Sequence, residues 1–455
     1  MKLAKRIGLI LCVLIVVTGI FTMTACGKPS LRGTDILIGN WFQNYDVDNI
    51  TPRNDAEEKT LEWRTKIQKD YGFRMRERNI ASWNEMSQVA ATSIMAGSPA
   101  AAVFVLQGDW AMSLISQNLA YPISESKIFD LRNPEPVAEG MQPPLWNAST
   151  LDAFTFDGKT YSFSEGINLN NAQVIFFNKR LFREAGLDPN LPYDMQRDGT
   201  WTWDNFLNVC RQLTRDINND GIIDTYAMPL DLSTDILDAI LSSNGATYVD
   251  RDPDTGKFIN ATNRPEFLEG LQFAISLKTL GIAKPKPENV NWDWYKSEFA
   301  DGNVAMRIDE SYVWNELGTM NDDWGVVLFP RGPRSDTQRV YTRENVLVIP
   351  ATFNQSQVDQ ILWALSLWFT PVTDDWKSGW YATFRDSRAV DETLELIRNT
   401  DLHMPKNYIF IPGLSRGAIG WQMWHHDGDP AQLIEAVSQD WNAKIQDQND
   451  RLFKD

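Results

Sequence analysis

Asp157-Gly158-Lys159-Thr160-Tyr161-Ser162-Phe163, Gln173-Val174-Ile175-Phe176-Phe177-Asn178-Lys179-Arg180-Leu181-Phe182, Glu184-Ala185-Gly186-Leu187-Asp188-Pro189 and Thr202-Trp203-Asp204-Asn205-Phe206 follow one another in a 455-residue chain. Alternating Tyr161 and Phe163 predict a short strand, and the β-branched and aromatic run Val174 to Phe177 a strand buried on both faces. The polar segment Ser164 to Asn171 between them is short enough to be a crossing from one lobe to another. Asn178 is suited to cap a helix whose Leu181, Phe182 and Ala185 form an apolar stripe, with Gly186 as its C-terminal stop and Pro189 preventing continuation. A further helix begins near Thr202 and turns Phe206, Leu207, Val209, Cys210 and Leu213 inward.

Outward from this stretch, strand and helix alternate. Asp35 to Gly39, Phe73 to Ile80 and Ala101 to Leu106 read as strands. Glu57 to Asp70, closed by Gly72, and a segment from an N-cap at Ser82 carrying Trp83, Met86, Ala90 and Ile94 read as helices. Such alternation predicts an open, largely parallel sheet with ligands at the carboxyl ends of its strands. The loops of interest are therefore Asn40-Trp41-Phe42-Gln43-Asn44 and Gln107-Gly108-Asp109-Trp110. Further along, Asn263 and Pro265 open a helix that ends before Gly281. Ile361 to Phe369 and a C-terminal segment from Pro430, with Leu433, Val437, Trp441 and Ile445 on one stripe, are helices too.

The order of these words resembles the extracellular solute-binding proteins of ABC importers, in the sugar-binding branch that includes the maltodextrin-binding proteins. That family carries a Gly-Lys-Tyr strand, an apolar strand ending Tyr/Phe-Asn-Lys, a Leu-Phe-x-x-Ala-Gly-Leu helix and a Thr-Trp-x-x-Phe segment. Phe299-Ala300-Asp301-Gly302-Asn303-Val304-Ala305-Met306 is similar to its Phe-x-x-Gly-x-x-Ala-Met, and Phe329-Pro330-Arg331-Gly332-Pro333 to its Pro-x-Gly-Pro. Where the family leads one to expect Pro-Asp, this chain has Pro99-Ala100, which removes that side chain's hydrogen bonds. The resemblance implies an α/β, periplasmic-binding-protein-like (type II) fold, with two discontinuous lobes joined by hinge crossings. The expected allocation is 35–165 with 304–345 in the first lobe, and 166–303 with 346–455 in the second. It also implies sugar contacts at Asp309, Glu310 and Tyr312, an oligosaccharide ligand, ABC permease subunits as partners and a monomeric chain.

The sugar expectation has a basis in the residues themselves. The chain holds 18 tryptophans, and an indole stacks on the C–H face of a sugar ring while polar neighbours pair with its hydroxyls. Trp63, Trp83, Trp363, Trp368 and Trp441 sit at helical spacing and are assigned to the core. Trp41, Trp110, Trp292, Trp294, Trp380 and Trp421 lie in loops or at element ends and are candidates for a cleft. Gln43, Asn44, Gln107, Asp109, Glu165 and Arg385 are polar candidates.

Lys2, Lys5 and Arg6 precede an apolar run from Ile7 to Phe21, a signal-peptide pattern too short for a durable membrane span. The run ends Met23-Thr24-Ala25-Cys26-Gly27, which resembles a bacterial lipoprotein cleavage box. Residues 1–25 are thus expected to be removed, Cys26 to carry palmitate and related lipid, and 26–34 to form a tether. The protein is expected on the outer face of the cell membrane, held through that lipid alone. Formal charge is −17, and loss of the three cations in the leader takes it to −20. Such a surface repels nucleic acid and anionic lipid. Cys12 and Cys26 fall in or at the leader and Cys210 is left alone, so no disulfide framework is expected.

Asp216, Asn218, Asp220, Ile222 and Asp224, with Gly221 at the bend, fit the first nine positions of a calcium loop, but position 12 is Ala227. A structural Ca²⁺ site and an Asn/Asp-rich turn that needs no metal both accommodate this pattern. For an enzyme the signals are thin. The three histidines, His403, His425 and His426, lack zinc-helix spacing, and there is no Gly-x-Ser-x-Gly elbow or phosphate loop. A glycoside hydrolase needs two placed carboxylates, which nothing singles out among 60 acids. A sensor subunit presenting its ligand to a membrane kinase would share the binding fold.

Overall fold

A computed structural model describes residues 27–453 except 127, 167–168, 231–232, 292, 342–344, 374 and 405. The leader, Cys26 and Trp292 therefore lie outside the described residues. Two sheets organise the chain. The first has five strands, with Asp35–Asn40 parallel to both Arg74–Asn79 and Val103–Gln107. Asn345–Val348 then lies antiparallel between Val103–Gln107 and Ser162–Phe163. The second sheet is antiparallel, with Gln173–Asn178 between Met306–Glu310 and Trp324–Leu328.

The connections explain why the expected largely parallel sheet is only partly realised. Ser162–Phe163 runs with the parallel strands and leaves the first lobe at their carboxyl ends. A chain that leaves there must return from the same side, so Asn345–Val348 enters running the other way. This pairing also corrects the expected allocation of segments. Met306–Glu310 and Trp324–Leu328 belong to the second lobe, whereas Asn345–Val348 and the helix Gln355–Trp368 belong to the first. After Phe369 the chain crosses a third time, and the rest of it builds the second lobe.

Local chemistry fixes the elements. Asn54 accepts from Glu57 N at the start of Asp55–Tyr71, and Gly72 closes that helix at φ 68°, a conformation a Cβ disfavours. Asn178 accepts from the amides of Arg180 and Leu181 to open Lys179–Glu184. The cap ahead of Pro265–Thr279 is Arg264 rather than Asn263. Ile36, Ile38, Phe163, Leu347, Leu362 and Trp368 share one buried cluster. A second is built on Phe176, Phe177, Tyr193, Trp201 and Phe206 of the second lobe and extends to Phe154 and Phe156 of the first. Phe410 makes that link, its ring 4.9 Å from Phe154 and 5.6 Å from Phe156. Cys210 is a free, buried thiol. Trp363, Trp368 and Trp441 are core residues as expected and Trp63 is half-buried, but Trp83 is 50% exposed. The helix begins at Met86, so Trp83 precedes its inward face.

Candidate functional site

The first lobe builds its wall of the cleft from strand ends. Asn40, fully buried at the end of its strand, accepts from the amides of Phe42 at 2.9 Å and Gln43 at 2.8 Å. That turn directs Phe42 outward and lets Gln43 Nε2 donate to Glu77. Glu77 also accepts from Trp368 Nε1 at 3.3 Å and has Arg64 at 4.0 Å. Arg64 in turn lies over the rings of Trp368 and Tyr45, at 4.2 and 4.7 Å. A buried acid is thereby given the partners it requires.

The crossings supply the floor. Glu165 bridges to Trp146, and Gly166 donates to Leu145 O at 2.6 Å with φ 43°. Glu165 is exposed on the cavity wall, with protein packed densely around it. Desolvation, and secondarily Glu77, push its pKa from 4.5 to about 7, with Arg64 opposing. On the second-lobe side Trp380 meets Trp314 edge to face at 5.2 Å, and Trp314 Nε1 donates to Asn170 Oδ1 at 3.1 Å. Arg398 lies 4.3 Å over the ring of Trp376. These groups enclose a cavity of about 820 Å³, within the range of small-molecule sites.

A second cavity of about 820 Å³ lies between the lobes, with Trp83, Gln107 and Asp109 on one side and Asp235, Tyr408 and Arg416 on the other. A series of rings runs along the first lobe between the two. Phe42 to Trp41 is 5.2 Å, Trp41 to Trp110 is 5.2 Å, and Trp110 to Trp83 is 5.5 Å.

The structure thus brings together Gln43, Glu165 and Trp380 in the hinge cavity, Gln107 and Asp109 in its neighbour, and Trp41 and Trp110 in the ring series. Asn44 lies beside them but braces the loop, accepting from Asn79 N at 3.0 Å. The remaining described candidates line neither cavity. Asp309 is spent on the buried Arg307. The segment Asp309 to Tyr312 is fastened to the first crossing by Ser311, whose N–H donates to Ala172 O at 2.8 Å and whose hydroxyl donates to Leu169 O. Glu310 and Tyr312 are half-buried there, and burial together with Asp309 and Glu310 pushes the Tyr312 hydroxyl up to about 12. Trp294 is buried in the second lobe. Arg385 is exposed and donates to Gly318 O at 3.2 Å. Trp421 is 54% exposed and packs on His425 at 3.9 Å. Sequence reasoning missed Glu77, Trp376 and Arg398. Trp376 stands in a loop like the other candidates, so the same rule would have found it; the two charged residues carry no local signal.

The Asp216 to Asp224 loop closes on itself. Asp216 accepts from Asp220 N at 3.2 Å and Gly221 N at 2.8 Å, Asp220 from Ile222 N at 2.8 Å, and Asp224 from Ile217 N at 2.6 Å. Among the described residues no group of three or more His, Cys, Asp or Glu side chains is placed to hold a metal. The donor atoms suit calcium, but the carboxylates turn to their own amides rather than to a common centre.

Two α/β lobes, joined by three crossings and parted by a polar and aromatic cleft, define a ligand-capturing protein of the hinged kind. Residues 79–352 match the family described as bacterial extracellular solute-binding protein, and the chain belongs to that family. Membership makes it an exported protein. No curated protein matches it in sequence. Among solved structures it is similar to the cyclic α-maltosyl-1,6-maltose binding protein of Arthrobacter globiformis (15% identity, TM-score 0.63, 91% of this chain and 99% of that one). It is also similar to an ABC substrate-binding protein from Listeria monocytogenes in complex with cycloalternan (15%, 0.57, 91% and 99%). A third is a Thermotoga lettingae ABC transporter solute-binding protein bound with α-D-tagatose (17%, 0.58, 91% and 100%). At such identity the likeness carries the fold. No helix among the described residues is long and apolar enough to cross a membrane.

Proposed function

We propose that the protein captures a carbohydrate, of oligosaccharide size, in the cleft between its lobes and delivers it unaltered to the permease of an ABC importer. The observation that carries this reading is the hinge cavity itself. It sets the ring faces of Phe42, Trp376 and Trp380 beside Gln43, Glu165 and Asn170, the pairing of flat apolar plates and hydrogen-bonding groups that a sugar ring requires. Similar folds solved with cycloalternan and tagatose support the ligand class. Because the cavity draws on both lobes and the crossings, a ligand that touches both favours the closed arrangement and shifts the population toward it. Cys26 anchors the chain to the membrane through lipid, and a permease receives the loaded form.

Calorimetry against neutral and acidic oligosaccharides tests the capture, with saturable binding and recovery of intact sugar expected. Cleavage of the sugar would turn the reading toward a glycoside hydrolase, and no binding by any member of the panel would end it. For the anchor, a Cys26→Ala variant should be released into the medium; retention at the membrane would refute lipidation.

A further inference from the structure

Three charged residues line the hinge cavity, and their partners differ. Glu77 is held by Gln43, Trp368 and Arg64. Glu165 is in electrostatic reach of Glu77 and Arg64. Arg398 ends the helix Glu395–Arg398 at the opposite wall, half-buried against Trp376 at 4.3 Å. Among the described residues its guanidinium makes no hydrogen bond and no ion pair. Glu395, at the start of the same helix, is claimed by Lys377 at 2.8 Å. Burial lowers the pKa of Arg398, with Glu395 opposing, and Glu77 and Glu165 line the same cavity.

A desolvated guanidinium without a counter-charge is costly, because water has been stripped from donors that nothing replaces. Its ring contact at 4.3 Å leaves its N–H donors unclaimed among the described residues. A planar anion accepting two parallel N–H bonds is the complement of that arrangement. We infer that the captured saccharide bears a carboxylate, as in a uronic acid unit, and that this carboxylate docks on Arg398 beside Trp376. The inference rests on the carbohydrate reading above. A single negative charge balances Arg398, whereas a phosphate dianion would leave excess charge in a cavity that already holds Glu77 and Glu165. The cavity then orients its ligand, with the acid at Arg398 and the hydroxyls toward Gln43 and Glu165.

The test is calorimetry at matched chain length, with di- and trigalacturonate against the neutral galactose oligomers and a sulfated galactose oligomer as a third arm. Wild type should prefer the uronate by about tenfold or more over the neutral sugar, and that preference should shrink as salt is raised. Arg398→Gln should abolish the preference, costing the uronate about tenfold more affinity than it costs the neutral sugar. Arg398→Lys, which keeps the charge but not the fork, should retain part of it and guards against a folding defect in the first variant. Equal affinity for neutral and acidic sugars, stronger binding of the sulfated arm, or an equal loss for both classes in Arg398→Gln would overturn this inference while leaving the carbohydrate reading intact. Failure of every saccharide to bind would overturn both.

Discussion

Replacing Glu165 with Gln removes a carboxyl whose titration the fold moves into the neutral range, and the consequence for stability has a definite sign. With a pKa of about 7 in the native chain against 4.5 when solvated, the native state keeps a proton between those values that the unfolded state has lost. Stability from this residue is therefore greatest below pH 4.5, declines as pH rises toward 7, and stays lost above it. One retained proton sets a limiting slope of about 1.4 kcal/mol per pH unit. The side chain is exposed and solvent screens it, so a total on the order of 1–2 kcal/mol is expected. In lobes of this size that corresponds to roughly 2–8 °C in melting temperature. Thermal unfolding of wild type and Glu165→Gln should coincide near pH 4 and diverge by pH 8, with the variant melting higher. A constant difference across that range, or a variant that melts lower at pH 8, would refute the placement of Glu165 near Glu77 in the cavity floor.

Other residues give independent checks. Trp380→Ala should weaken sugar binding by about 1–3 kcal/mol through loss of a ring face, read by calorimetry, whereas Trp421→Ala on the outer surface should leave affinity unchanged. A Cβ at Gly108 would press on the Ile409 side chain of the facing lobe and meet the Phe154 ring at 3.5 Å, so Gly108→Trp, too large for Ile409 to turn aside from, should hold the lobes apart; scattering should show a larger radius with ligand present, and an unchanged radius would count against a tight lobe contact there. For the Asp216 loop, hydrogen bonds already satisfy the carboxylates, so millimolar Ca²⁺ should leave the melting temperature unmoved. A calcium-dependent rise that Asp216→Ala abolishes would show that an ion reorganises the loop.

Much of the fold was legible because local chemistry specifies it. Asn178 caps its helix and Gly72 ends another as their side chains dictate, and Val174 to Phe177 is buried on both faces as its composition requires. Allocation of strands to lobes was not legible. Met306–Glu310 and Asn345–Val348 are both short apolar strands beside a crossing, and nothing in either says which sheet it joins. That choice is made by partners more than 100 residues away in the chain, Gln173–Asn178 for one and Val103–Gln107 for the other. The expected sugar contacts at Asp309, Glu310 and Tyr312 inherit the same difficulty. The strand was recognised, but its end is consumed in tying Ser311 to Ala172 and Leu169.

The same reasoning separates what an aromatic count can say from what it cannot. Trp201, Trp314 and Trp424 are wholly interior, while Trp83 reaches solvent although its position matched a helical stripe. Periodicity reports which face a residue takes only if the helix has already begun, and here it begins three residues later. Charge is harder still, because the cost of burying Glu77 or Arg398 depends on the partners present. Glu77 draws Arg64 from one helix, Trp368 from another 291 residues away, and Gln43 from a loop. Among the described residues Arg398 draws only Trp376. That contrast arises only when three crossings bring distant segments to one cavity, and it makes the unanswered cation, rather than the indoles, the feature that discriminates between one sugar and another.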